Sequence, residues 1–367
     1  MDVAAFDFEL PEELIAQTAL RRGESRLLVL DRGSSQLSHG SIRDLPSFLE
    51  RGDLLVANDT RVIPARLLGH RVPSGGAVEC LLLHEEAGAE REARAETWQA
   101  LMHPGQKLKP GAQVVFEGNG VRLHAEVLER LFYGRRRIRL EAESGSVANA
   151  IDALGHIPLP PYIHRADTAD DRERYQTVFA SHRGSVAAPT AGLHFDERLL
   201  ASLDEAGVER VTVTLHVGYG TFKPVRAERV EDHVVDPEPY EISDAAAVAI
   251  NRALDTGRRV VAVGTTTTRA LEDAACRGGG RVHAGRAQAD IFIYPGFAFR
   301  VISGLLTNFH LPKSSLLMLV SAFAGRPSTG AGRSDLLEGR DAVLAAYREA
   351  VAHRYRFYSY GDAMLVL

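Results

Sequence analysis

The stretch "RRVVAVGTTTTRALEDAA", Arg258 to Ala275, changes periodicity at its centre. Its first part is a short apolar run of the kind that forms a buried strand. Its second part reads as a helix, and Gly264 marks the join. That makes one strand–loop–helix unit, and similar units lie on both sides of it. "VERVTVTLHVG" (Val208–Gly218) puts Val211, Val213, Leu215 and Val217 on one face. It follows a helix that Asp196 can N-cap, that runs to about Glu205 and that Gly207 stops. "ADIFIYPG" (Ala289–Gly296) comes next, then "LLTNFHLP" (Leu305–Pro312) and "KSSLLMLVSAFAG" (Lys313–Gly325). "AVLAAYREAVAHRY" (Ala342–Tyr355) forms a last amphipathic helix. Near the other end, "SRLLVLDR" and "DLLVANDTR" read as strands, "FELPEELIAQ" (Phe8–Gln17) as a helix entered at a proline, and "LPSFLERGD" as a helical turn closed by Gly52. This is the pattern of a mixed sheet with helices on its faces.

The texture differs between Leu67 and Gly155. Short runs such as "AVECLLLHEE", "AQVVFEGNG", "VRLHAEVLERL" and "RRRIRLEAE" alternate with turn signals. Gly118-Asn119-Gly120 suits a hairpin, since Gly and Asn tolerate positive φ. Strands at this spacing form a small sheet or barrel. The expected architecture is α/β: residues 1–66 and 156–367 build a discontinuous catalytic domain, and 67–155 form an inserted β-barrel. "EEAGAEREARAE" and "GRPSTGAGRSD" read as surface loops.

The 367 residues are 45% apolar, enough for a sizeable core, and carry a net charge of −5. An RNA or DNA partner would therefore need a local basic patch. Cys80 and Cys276 lie far apart in sequence, with neither zinc-type spacing nor a disulfide framework. The acidic start lacks the pattern of a signal peptide, and the longest apolar run is too short to span a bilayer. A cytoplasmic monomer is the expectation.

In open α/β sheets, ligands sit beyond the carboxyl ends of strands, so the loops after strands hold the candidate chemistry. "VANDTRVIPAR" offers Asn58, Asp59 and Arg61; "VAAPTAGLHF" offers Thr190, Gly192 and His194; "LHVGYGTFKP" offers His216, Gly218, Gly220 and Lys223. "VGTTTTR" adds Thr265, Thr266 and Thr267, where a helix start can hold a carboxylate or phosphate. Taken alone, the threonines are better read as satisfying that helix's free N–H groups. "DIFIYPGF" adds Asp290 and Tyr294, and "LLTNFHLPKSS" adds Asn308 and His310. A histidine at a strand end is commonly a structural group. Three of them, His194, His216 and His310, in loops that converge on one sheet edge are better candidates for acid–base work. The run Glu231, Asp232, His233, Asp236, Glu238 and Glu241 reads as a metal site, an acidic turn or a counter-charge for a cation. No other feature supports a metal, and none is assigned. Arg135, Arg136 and Arg137 in the barrel, and Arg354 and Arg356 among aromatics, have the composition of an RNA surface. They also fit a solvated strand face and a packed terminus.

Many of these strings together resemble the S-adenosylmethionine:tRNA ribosyltransferase-isomerase family of queuosine biosynthesis. The likeness runs nearly end to end, through "NDTRVIPARL", "ETWQALMHPGQKLKPG", "GSVAAPTAGLHF", "LHVGYGTFKPV", "VGTTTTRALE", "LLTNFHLPKSSLLMLVSAFAG" and "RYRFYSYGDAML". It implies an enzyme that moves the ribosyl part of S-adenosylmethionine onto the aminomethyl group of 7-aminomethyl-7-deazaguanine in a tRNA anticodon loop. The sugar is rearranged to give epoxyqueuosine-tRNA, and adenine and methionine leave. It implies no metal and no separate cofactor, since S-adenosylmethionine is consumed. The chain departs from the family pattern at Asp236, where a second His is common, and at Ala289, where a Thr is usual. An S-adenosylmethionine-dependent RNA methyltransferase and a non-catalytic tRNA-binding protein are the alternative readings.

Overall fold

The computed structural model describes residues 1–86, 94–222, 225–325 and 337–367, without the side chains of 221 and 222. Most of the two surface loops named above, and Lys223, lie outside the described residues.

A nine-stranded mixed sheet organises the larger part of the chain. Its strands run in the order Gly285–Ala289, Glu238–Ile242, Glu209–Leu215, Leu54–Asn58, Val260–Val263, Gly304–Asn308, Ala363–Val366, Arg26–Leu30 and Leu37–Ser41. The four from Glu209–Leu215 to Gly304–Asn308 are mutually parallel. Leu54–Asn58 and Val260–Val263 are buried at every position, as expected for strands covered on both faces. One face is covered by Asp244–Asp255, Thr265–Arg277 and Ser315–Ala324, whose apolar sides share a core with Val56, Val260 and Ala262. The other face packs Leu55, Val261 and Val263 against Glu197–Ala206.

Local signals explain most boundaries. Asp196 accepts a hydrogen bond from the Leu199 N–H at 2.8 Å and caps Glu197–Ala206. Gly207 ends that helix at φ 80°, a left-handed conformation that costs glycine little. Ser314 caps Ser315–Ala324 in the same way as Asp196, by accepting from the Leu317 N–H.

Six strands close a barrel: Arg66–Val72, Ala77–Glu86, Ala95–His103, Gln113–Gly118, Val121–Arg130 and Arg135–Ala142. Val78, Cys80, Leu82, Trp98, Phe116, Leu123 and Ile138 fill its interior. Asn119 at φ 52° and Gly120 at φ 74° make the hairpin turn that their residue types favour. The chain enters the barrel at Arg66 and comes back to that residue at His156, where the two exchange backbone hydrogen bonds of 3.2 and 2.8 Å.

Two elements differ from expectation. "FELPEELIAQ" forms only a 3-10 turn, Glu12–Leu14. Pro11 brings no side-chain cap, and Ile15 turns extended to bridge Phe357, so long-range pairing overrides the helical spacing. The strand expected through "ADIFIYPG" stops at Ala289, the last residue paired to the neighbouring strand. Among the described residues, no helix is long and apolar enough to cross a membrane.

Candidate functional site

The four parallel strands end on one edge of the sheet, at Leu215, Asn58, Val263 and Asn308. An open cleft of about 680 Å³, solvent at its mouth included, lies there. Its walls come from the loops singled out in the sequence: Ala187–Ala191, Gly264–Thr266 and Thr307–Leu311. Tyr162, Val217, Ser314, Leu316, Tyr358 and Ser359 complete it.

Gly264 has φ 93° and ψ 156°, a conformation essentially restricted to glycine, and offers no side-chain cap to the helix Thr265–Arg277. First-turn N–H groups and the positive end of the helix dipole thus face the cleft. The threonines divide into two pairs. Thr265 and Thr266 line the cleft. Thr267 and Thr268 donate their hydroxyls back to the carbonyls of Val263 and Gly264, at 2.7 and 3.1 Å.

Three buried polar atoms of cleft residues have no hydrogen-bond partner among the described residues: Thr266 Oγ1, Asn308 Oδ1 and Tyr358 OH. Buried polar groups are nearly always paired, so three open ones around a single cavity mark a place where a polar ligand would supply the bonds. Tyr358 is held there in a left-handed conformation, φ 71°. Its carbonyl accepts from Asn308 Nδ2 at 3.0 Å, and its ring stacks on Tyr162 with centroids 4.4 Å apart. Burial pushes the Tyr358 phenol well above its usual pKa, so it stays protonated.

The three histidines sit on this edge with different partners. His310 lines the cleft, with Nε2 2.8 Å from Thr307 Oγ1, and burial lowers its pKa to about 3. His194 has Nδ1 2.7 Å from Ser25 Oγ, while Nε2 is without a partner among the described residues. Burial lowers its pKa to about 4, with the Asn308 side chain opposing the shift. His216 places Nδ1 2.7 Å from Thr60 Oγ1. Burial lowers its pKa first, and His182 adds to this. All three rings are therefore neutral near pH 7. His194 and His216 are not among the cleft-lining residues.

The remaining candidates scatter. Thr190 and Asn308 line the cleft. Asn58 uses its side chain to continue the ladder, accepting from the N–H groups of Thr60 and Leu215 and donating to the Leu215 carbonyl. Asp59 accepts from Thr214 Oγ1 at 2.6 Å, and Arg61 is exposed. Gly192 packs against Thr177, where a Cβ would sit 2.8 Å from its methyl carbon. Asp290 pairs with Arg277 at 3.1 Å on the surface, and Tyr294 rests half-buried against the core.

A second cleft of about 610 Å³ shares Leu316 with the first. Gly220, His233, Asp236, Glu238 and Arg269 line it. Arg269 and Glu238 form a buried ion pair, and Glu238 also accepts from the Gly218 N–H at 2.8 Å. Asp236 meets Arg135 of the barrel at 3.0 Å.

Arg136 is 1% exposed and donates to four backbone carbonyls, so it presents no cation to solvent. Arg137 pairs with Glu86 at 2.8 Å. Arg354 is exposed, and Arg356 donates to the Thr18 carbonyl. Sequence reasoning missed Tyr162 and Ser359 as cleft residues. It read the "RFYSYGD" aromatics as an RNA surface or a packed terminus, and the structure packs Tyr358 into the cleft wall. Nothing local in "PPYIH" signals that Tyr162 meets a segment nearly 200 residues away.

Comparison with known proteins gives a consistent result. The family model described as a queuosine biosynthesis protein matches residues 3–366. S-adenosylmethionine:tRNA ribosyltransferase-isomerases from Heliobacterium modesticaldum and Desulfitobacterium hafniense are 50% and 47% identical, with full coverage of both chains in each case. A crystal structure of S-adenosylmethionine tRNA ribosyltransferase from Thermotoga maritima is 36% identical. It aligns over 99% of this chain and 100% of that one, with a TM-score of 0.52.

Proposed function

This chain belongs to the queuosine biosynthesis protein family, and from that premise we propose that it transfers and isomerises the ribosyl group of S-adenosylmethionine onto tRNA. The acceptor is the aminomethyl group of 7-aminomethyl-7-deazaguanine in an anticodon loop. The product is epoxyqueuosine-tRNA, with adenine and methionine released. The observation that carries this reading is the cleft with three unpartnered polar atoms, Thr266 Oγ1, Asn308 Oδ1 and Tyr358 OH, beside an uncapped helix start.

In this reading the methionine carboxylate takes the free N–H groups after Gly264. The Tyr162 and Tyr358 ring pair offers aromatic faces near the sulfonium. A neutral histidine then removes a proton from the ribose carbon next to sulfur, which the sulfonium acidifies. His310 lines the cleft, and His194 faces Asn308 of its wall, so these two lead His216 as the base. Adenine departs from the anomeric carbon with the proton the histidine took, and the tRNA amine adds there and sheds a proton. The ribose ring C–O bond opens, the carbon next to sulfur joins the anomeric carbon to close the carbocycle, and epoxide formation breaks the C–S bond and expels methionine. No separate cofactor enters this scheme, and the enzyme works as a cytoplasmic monomer.

The test is incubation with S-adenosylmethionine and an anticodon stem-loop RNA bearing the modified base, followed by chromatography of the small molecules. Adenine and methionine in equal amounts, only with that RNA, is the expected result. S-adenosylhomocysteine would make the protein a methyltransferase. Binding of the RNA without turnover would leave a tRNA-binding protein.

A further inference from the structure

We propose that the tip of the barrel hairpin at Phe132 and Tyr133 is a stacking platform for unpaired RNA bases, flanked by cations that take the phosphates. This rests on the reading above and adds the surface that receives the RNA.

Phe132 is 86% exposed and Tyr133 is 92% exposed, the most open aromatic side chains among the described residues. They occupy the turn Phe132–Gly134, between the strands Val121–Arg130 and Arg135–Ala142. Tyr133 is left-handed there, φ 57° and ψ 32°, a conformation unusual for a bulky side chain. Two large rings held in water at a strained turn bury nothing within the fold. They are poor packing groups and good stacking surfaces.

Arg136 explains how this surface is built. Its guanidinium donates to Gly134 O and Arg135 O at the tip, at 2.9 and 3.0 Å. It also donates to Gly105 O and Leu108 O of a second loop, at 2.7 and 3.0 Å. One buried cation thus clasps two barrel loops together. The clasped loop carries exposed Lys107 and Lys109, and Arg130 ends the strand leading to the tip. Lys107, Lys109 and Arg130 form no ion pair among the described residues, unlike Arg135 and Arg137. Free cations around two open rings complement a phosphate backbone with splayed bases, whereas a protein-docking patch would show a broader apolar area.

The position also fits. Arg135, at the foot of the tip, pairs with Asp236, which lines the second cleft, and that cleft shares Leu316 with the first. An RNA loop stacked on Phe132 and Tyr133 thus lies on a continuous path toward the S-adenosylmethionine cleft.

The test uses the whole protein, fluorescein-labelled anticodon stem-loop RNA and three variants. F132A/Y133A should raise the RNA Kd about tenfold or more, with an unchanged melting temperature and an unchanged KM for S-adenosylmethionine. F132W/Y133W should restore binding, since any aromatic face stacks. K107A/K109A should reduce the slope of log K against log salt by about 1.4. If F132A/Y133A binds and modifies RNA as the parent does, the platform is wrong and the function stands. If the parent neither binds nor modifies the RNA, the function falls and the platform with it. If F132A/Y133A instead converts a dimer into a monomer, the tip is a self-association surface and the proposal is overturned.

Discussion

Ser25 Oγ lies 2.7 Å from His194 Nδ1, joining residues 169 positions apart in the chain. Ser25 stands just before the strand Arg26–Leu30, and His194 ends the turn Thr190–His194. The contact fixes the imidazole's orientation and turns Nε2 toward the side chain of Asn308, a residue of the cleft wall. H194A should lower kcat/KM by roughly 10²–10⁴, the usual scale of general acid–base catalysis. S25A should cost less, mainly in kcat, with the KM for S-adenosylmethionine kept. Steady-state kinetics decide it, and a loss under about 3-fold for H194A would remove its acid–base role.

The buried histidines make stability depend on pH with a definite sign. His194 and His310 have folded pKa values of about 4 and about 3, against an ordinary 6.5. Below pH 6.5 the unfolded chain binds protons that the folded chain refuses, so stability falls as the solution is acidified. Each histidine adds a slope of up to about 1.4 kcal/mol per pH unit until its folded pKa is reached. Urea titrations at pH 7, 6 and 5 should show the decline, and H310Q should flatten it. Equal slopes in H310Q and its parent would mean that His310 is not buried neutral.

Tyr358 offers a contrast between folding and binding. Its buried hydroxyl has no partner among the described residues, so Y358F removes an unsatisfied polar group. The variant should be as stable as its parent or more so, while its KM for S-adenosylmethionine rises. Thermal melts set beside substrate titration test this. A destabilised Y358F with normal KM would show that the hydroxyl serves the fold.

Gly264 joins strand to helix at φ 93° and ψ 156°. A Cβ there would touch Ala191 at 3.5 Å, an ordinary contact, so the cost of G264A is conformational. About 1–3 kcal/mol of stability should be lost in denaturant titration, with weaker S-adenosylmethionine binding as the helix start tilts. A G264A protein as stable as its parent would place that junction elsewhere in φ and ψ.

The fold was legible where local and global preferences agree. Gly264 before four threonines, Asp196 before Glu197–Ala206 and Asn119-Gly120 in the barrel each carry their geometry in their chemistry. "FELPEELIAQ" misled because a distant partner, Phe357, outweighs its helical spacing. Within the site, loops ending parallel strands were readable, since strand direction alone puts Thr266, Asn308 and His310 on one edge. Which atoms they leave open was not. Asn58 and Asn308 look alike as residues at strand ends, yet one completes a backbone ladder and the other keeps Oδ1 free. Arg136 looked like the centre of a basic surface because a sequence shows charge but not the four carbonyls that enclose it.

The strand Ala363–Val366 lies inside the sheet, between Gly304–Asn308 and Arg26–Leu30. One side of Arg26–Leu30 pairs with nearby Leu37–Ser41, while the other waits for a partner more than 300 residues downstream; the barrel completes all its pairs between Arg66 and Ala142. Assembly kinetics inherit this asymmetry, because non-local pairing is slow to form. The barrel can condense early, whereas the apolar edge at Leu27–Leu30 stays open through most of synthesis. An unpaired apolar strand edge of this kind is the general source of aggregation during the folding of larger chains.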